Sequence, residues 1–167
     1  MTERLYLADT YTHTGAASVV SLSRLETVFK NSLFKLTLDK TLFHPQGGGQ
    51  PSDIGEIALA EEGEGGDRAV LKVQFVQAGA EGVVEHFGNI VLSGAAADTD
   101  VEPETAAAAA LFEGKNVVMR VDSEQRLSNA KCHSAGHLVD KAVTRFGAEL
   151  TEQHPGHCLA WRPTKVW

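Results

Sequence analysis

Leu33-Phe-Lys-Leu-Thr-Leu-Asp39 puts Phe34, Leu36 and Leu38 on one face and Lys35, Thr37 and Asp39 on the other. That period-two alternation belongs to a strand with one buried face. It recurs downstream: Leu71, Val73 and Phe75 alternate with Lys72 and Gln74, and Val117, Met119 and Val121 alternate with Val118, Arg120 and Asp122. Ser18 to Ser21 adds an earlier strand, and turns are available at Gly47-Gly48-Gly49 and from Gly63 to Gly66. Strands joined by glycine turns, with almost no helical period, predict a small antiparallel β-barrel over residues 1–122. One stretch interrupts it. Residues 94–112 combine Ala95 to Ala97 and Ala106 to Ala110 with Asp98, Asp100, Glu102 and Glu104. They read as a surface insertion with room for a short helix after Pro103, or alternatively as an interaction tail.

The pattern changes at Asp122-Ser-Glu-Gln125, which has the spacing of a capping box, and runs with helical period to Phe146 before Gly147. Ala135, Leu138, Val139, Ala142, Val143 and Phe146 form one apolar stripe, which predicts that Leu138 and Ala142 are buried. His133 and His137 fall on the opposite side, with Arg126 and Thr144. The fold class expected is therefore α+β, with a barrel at 1–122 and a second lobe opening at 123–167.

Composition narrows the function. The 167 residues carry 43% hydrophobic and 22% charged side chains, ordinary for a globular chain, and no run of about 18 apolar residues that would suit a bilayer. The start, Met1-Thr-Glu-Arg-Leu-Tyr-Leu-Ala-Asp9, has neither the basic region nor the apolar stretch of a secretory signal, so the cytosol is the expected compartment. There, Cys132 and Cys158 are expected as thiols or metal ligands and not as a disulfide. A formal charge of −7 argues against broad phosphate-driven binding of nucleic acid, while leaving room for a local basic patch that grips one end of it.

Two runs carry chemistry. His133-Ser-Ala-Gly-His137 sets two imidazoles one turn apart on a helix face, where both can coordinate one metal ion, with zinc the first choice for nitrogen ligands. The alternative is a chance pair on a solvated face. No Glu follows His133, so the metalloprotease arrangement is missing its general base. The second run is Thr41-Leu-Phe-His-Pro-Gln-Gly-Gly-Gly-Gln50-Pro-Ser-Asp53-Ile-Gly55. Three consecutive glycines allow a backbone with positive φ and close approach to a ligand, although a simple barrel turn would use them equally well. It lacks the lysine and the strand-to-helix setting of a phosphate loop.

Together these runs resemble a known family. Asp39-x-Thr41-x-Phe43-x-Pro45-x-Gly47-Gly48-Gly49-Gln50-Pro-Ser-Asp53-x-Gly55 is similar to the glycine-rich signature of the alanyl-tRNA synthetase editing domain. Arg126 through His133-Ser-Ala-Gly-His137-Leu138 resembles its first zinc motif. Leu5-Tyr6 with Asp9-x-Tyr11 resembles the start of the freestanding alanyl-tRNA editing proteins, AlaX, and His86 before a glycine-containing strand fits the same pattern. The similarity covers most of residues 1–93 and 115–150.

The resemblance implies an N-terminal glycine-rich barrel, a C-terminal α/β editing lobe that is apparently truncated here, and an active site in the cleft between them. It implies Zn2+ held by His133 and His137, with Thr41 reading the extra hydroxyl of serine and Gln50 bordering the same cleft. The substrate would be the mischarged 3′ end of tRNA(Ala) carrying serine or glycine, and the reaction hydrolysis of its ester. The sequence departs from the family in two places. No Cys-x-x-x-His follows the helix, although Gln153-His-Pro-Gly-His-Cys158 offers His154, His157 and Cys158 as substitutes, and His44 stands where the family often has Tyr. The rival readings are a non-catalytic tRNA-binding or interaction module that has lost half its metal site, and a truncated product.

Overall fold

The computed structural model describes residues 1–25, 33–61, 68–93 and 112–145. In chain order the strands are β1 (Glu3–Arg4), β2 (Thr14–Leu25), β3 (Leu33–Leu38), β4 (Lys40–Thr41), β5 (Gly55–Leu59), β6 (Arg68–Ala78), β7 (Val84–Ser93) and β8 (Asn116–Val121), followed by a helix α1 (Ser123–Arg145). Six of them close into an antiparallel barrel in the order β2-β3-β7-β6-β5-β8, with β8 returning to β2. The expected α+β class is observed. The Gly63–Gly66 turn, the 94–111 part of the insertion, Phe146, Gly147, His154, His157 and Cys158 lie outside the described residues.

Closure depends on the length of β2. Its first half pairs with β8, from Thr14 opposite Arg120 to Ser18 opposite Asn116, and its second half with β3, from Val19 opposite Leu38 to Leu25 opposite Leu33. A register shift between Val19 and Ser21 bends the strand where it changes partners, as a bulge does at a barrel corner. The expected alternation fills the interior, where Phe34, Leu36, Leu38, Leu71, Val117 and Met119 are all buried, and Ile57 of β5 joins them. At β6 the alternation breaks. A register shift between Val73 and Phe75 turns Phe75 to a half-exposed position against Phe87, and Val76 takes its place in the core. An extra residue in one strand inverts the facing of everything after it, so Phe75 does not share the face of Leu71 and Val73. Gly88 lies beside this irregularity, where a Cβ would come within 1.9 Å of the Lys72 carbonyl oxygen. Only glycine lets the two backbones approach so closely.

The helix corrects a second expectation. It runs unbroken from Ser123 to Arg145, but Leu138 is 71% exposed, Val139 51% exposed, and Ala142 is exposed. The buried helix residues are Arg126 and Asn129. The apolar stripe therefore faces away from the barrel, and the polar side docks.

Candidate functional site

The glycine run makes a tight turn. Gly47 and Gln50 exchange backbone hydrogen bonds, 3.2 and 2.9 Å, around Gly48 (φ 58°) and Gly49 (φ 85°). Positive φ at both central positions is the requirement of a type I′ turn, which glycine meets without strain. The turn is anchored on both sides. Gln46 N donates to Val76 O (2.9 Å), and Ser52 Oγ accepts from Val76 N (3.1 Å). His44 and Asp53 close the base of the loop: Asp53 N donates to His44 O at 3.0 Å, and His44 N donates to Asp53 Oδ2 at 2.6 Å. The His44 ring packs against Tyr6, 4.9 Å between centroids.

Asp53, fully buried, also receives the helix. Arg126 Nε and Nη2 both donate to Asp53 Oδ2, at 3.1 and 2.5 Å. Nη2 donates further to Leu42 O (2.5 Å), while Nη1 reaches Thr10 O (2.9 Å) and Thr12 O (3.5 Å). A guanidinium carries five N–H donors, and every one of them has an acceptor here. This complete set is what makes burial of Arg126, 6% exposed, tolerable. Around it, Asn129 Nδ2 donates to Ser52 O (3.4 Å), and Asp122 N donates to Ile54 O (3.0 Å). The Asp122 carboxylate caps the helix through Gln125 N at 2.9 Å. The return half of the capping box is absent because Asp122 N is already held by Ile54 and the Gln125 side chain turns to Asn129.

His133, half-buried, and His137, exposed, lie further along the side of the helix that carries Arg126. At about 100° per residue, the steps from 126 to 133 and from 126 to 137 leave both within about 20° of the direction of Arg126. Their Nε2 atoms are 3.0 Å apart, with the rings perpendicular. Two nitrogens on a tetrahedral zinc at about 2.0–2.1 Å would stand about 3.3 Å apart, so the pair fits as two of a zinc ion's ligands. Among the described residues no third His, Cys, Asp or Glu joins them.

Thr41 ends β4, which pairs with β1 outside the barrel's strand order, and is 0% exposed. His86 Nδ1 lies 3.1 Å from Leu36 O, which only accepts, so Nδ1 carries the proton and Nε2 accepts from the Thr41 hydroxyl at 2.8 Å. Phe43 N donates to Thr41 Oγ1 at 3.1 Å. Burial pushes the His86 imidazole down to about 4, against a smaller upward pull from its bond to Leu36, so the ring is neutral at ordinary pH. Thr41 and Gln50 thus occupy different settings, one buried against His86 and one half-buried in the turn.

The chain is 33% identical over 125 residues to the alanine–tRNA ligase of Methanobrevibacter smithii, covering 75% of this chain and 11% of the ligase. The alanine–tRNA ligase of Clostridioides difficile is 33% identical over 118 residues, 71% of this chain and 11% of its own length. That of Sulfurisphaera tokodaii is 31% identical over 160 residues, 91% and 14%. This chain is a relative of the alanine–tRNA ligases. It spans about a tenth of the length of the curated relatives it matches, and no family model matches it. Among the described residues, no helix of this alanine–tRNA ligase relative is long and apolar enough to cross a membrane.

In this ligase relative the sequence identified the glycine turn and the histidine pair, and it left Asp53 and Arg126 without roles. The signal available was positional: a carboxylate just after the glycine run, and an arginine in helical phase with both histidines. Nothing local says that the two meet across 73 residues of sequence.

Proposed function

We propose that this ligase relative is a zinc-dependent aminoacyl-tRNA deacylase of the cytoplasm, acting in trans on tRNA(Ala) mischarged with serine or glycine at its 3′ end. The observation that carries this reading is the register of the helix: the arginine clamped beneath the glycine turn lies in phase with two imidazoles whose nitrogens are 3.0 Å apart. His133 and His137 would hold the metal, with a further ligand from His154, His157 or Cys158. Zinc in such a setting lowers the pKa of bound water and polarises an ester carbonyl. Gln50 would border the substrate cleft beside the turn. Thr41 would contribute a hydroxyl whose proton is directed to His86 and whose oxygen already accepts from Phe43 N, leaving one lone pair of Oγ1 to accept from the serine hydroxyl that alanine lacks.

Thr41's complete burial favours a second reading, a tRNA-binding module without hydrolytic activity. One experiment separates the two. Zinc content is measured on the purified full chain alongside release of serine from serine-charged tRNA(Ala). Bound zinc with release that disappears in His137→Ala supports the deacylase. Binding of the tRNA with no release supports the module.

A further inference from the structure

We infer that Arg126 is a positioning residue, keyed through Asp53, that sets the histidine-bearing face of the helix against the glycine turn. The inference rests on the deacylase reading for its consequence in activity, and on geometry alone for the positioning. Three segments distant in sequence converge on this guanidinium: the 10–12 segment through Thr10 O and Thr12 O, the approach to the glycine turn through Leu42 O, and the far side of that turn through Asp53. The Asp53 carboxylate is used asymmetrically. Oδ2 accepts from the His44 amide and twice from Arg126, while Oδ1 is buried with no partner among the described residues. A single oxygen thus fixes loop and helix together. Among the described residues the apolar stripe of the helix contributes little docking, since Leu138 and Val139 are exposed. At about 1.5 Å per residue, His133 and His137 stand roughly 10 and 16 Å along the helix from Arg126, so a small rotation at the arginine becomes a displacement of ångströms at the imidazoles.

Two substitutions separate charge from shape. Arg126→Lys keeps the charge and loses the planar fork, whereas Asp53→Asn keeps an acceptor at the Oδ2 position and loses the charge. For kinetics both are made in the unaltered full chain, and for EPR in the full chain carrying Cys132→Ser and Cys158→Ser. Cu2+ bound by His133 and His137 serves as one spin label and a nitroxide at Gln46→Cys as the other; pulsed EPR gives the distance between them. The expected result is Cu2+ affinity at the pair within about twofold of the parent in both variants, because both imidazoles belong to one helix turn. The distance distribution is narrow in the parent and broad in Arg126→Lys. In the same variant kcat for deacylation falls about a hundredfold with KM within about threefold, the signature of misplacement and not of lost binding. Asp53→Asn falls between the two.

An unchanged narrow distance in Arg126→Lys overturns the inference. So does parallel loss of Cu2+ affinity, which would mean that the helix has melted and that the arginine is merely structural. If the parent releases no serine from its tRNA, the deacylase reading fails while the EPR result still decides the positioning role.

Discussion

The barrel and the helix are held by opposite means. In the barrel, alternating apolar residues from six strands meet in one interior, and the loss of any single contact is shared among many neighbours. Among the described residues, the helix meets the barrel through buried Arg126, buried Asn129 and the backbone around Asp122, while its apolar stripe is exposed. Burial of apolar surface is forgiving about angle, whereas a guanidinium with all its donors committed is not. The barrel's attachment is thus distributed and the helix's is concentrated at a point, which suits an element whose orientation matters more than its stability.

The largest effect should therefore come from the point attachment. Arg126→Met leaves the Asp53 carboxylate buried and unpaired, and stability should fall by about 3–5 kcal/mol in urea unfolding. Leu71→Ala, deep in the barrel, should lose about 2–5 kcal/mol. The comparison fails if Arg126→Met is nearly neutral while Leu71→Ala is severe.

Next comes the pH dependence that His86 gives the barrel. Its imidazole is held near 4 in the fold against 6.5 in the unfolded chain, so between these values the unfolded chain binds more protons and stability rises with pH. The contribution is complete above pH 6.5 and is lost as pH falls toward 4, at most about 3 kcal/mol. The slope of unfolding free energy in that window should flatten in His86→Gln, although the variant is less stable throughout; an unchanged slope would place the titration elsewhere. The smallest effect belongs to the outward stripe: Leu138→Ser and Val139→Ser should each change stability by no more than about 0.5 kcal/mol. A loss of about 2 kcal/mol at either residue would mean that the stripe is covered.

Much of the barrel was legible because its physics is local. Leu33–Leu38 and Asn116–Val121 follow the alternation written in their sequences, while β6 follows its own only as far as Val73, where a bulge invisible to periodicity intervenes. Gly55–Leu59 gave no signal because five residues with a glycine, a glutamate and an alanine carry too little contrast to read as a strand. For the helix, amphipathicity predicted its length and mispredicted its docked face. The rule that an apolar face turns inward assumes that nothing stronger competes, and Asp53 lies too far away in sequence to appear in any local window. The candidate site was legible as motifs, and its geometry was not: that the Thr41 hydroxyl is sealed against His86 follows from a strand pairing between residues 36 and 86.

The placement of β8 has a consequence for synthesis. It lies between β5 and β2 and is the last of the barrel strands in chain order. While translation is still short of Asn116, β2 and β5 can form only as the two open edges of a five-stranded sheet, each offering unpaired amides and carbonyls to any other extended chain. Closure and helix arrive within a few residues of each other, at Val121 and Ser123. The interval during which the nascent chain is most prone to aggregate therefore ends as the arginine that orients the helix emerges.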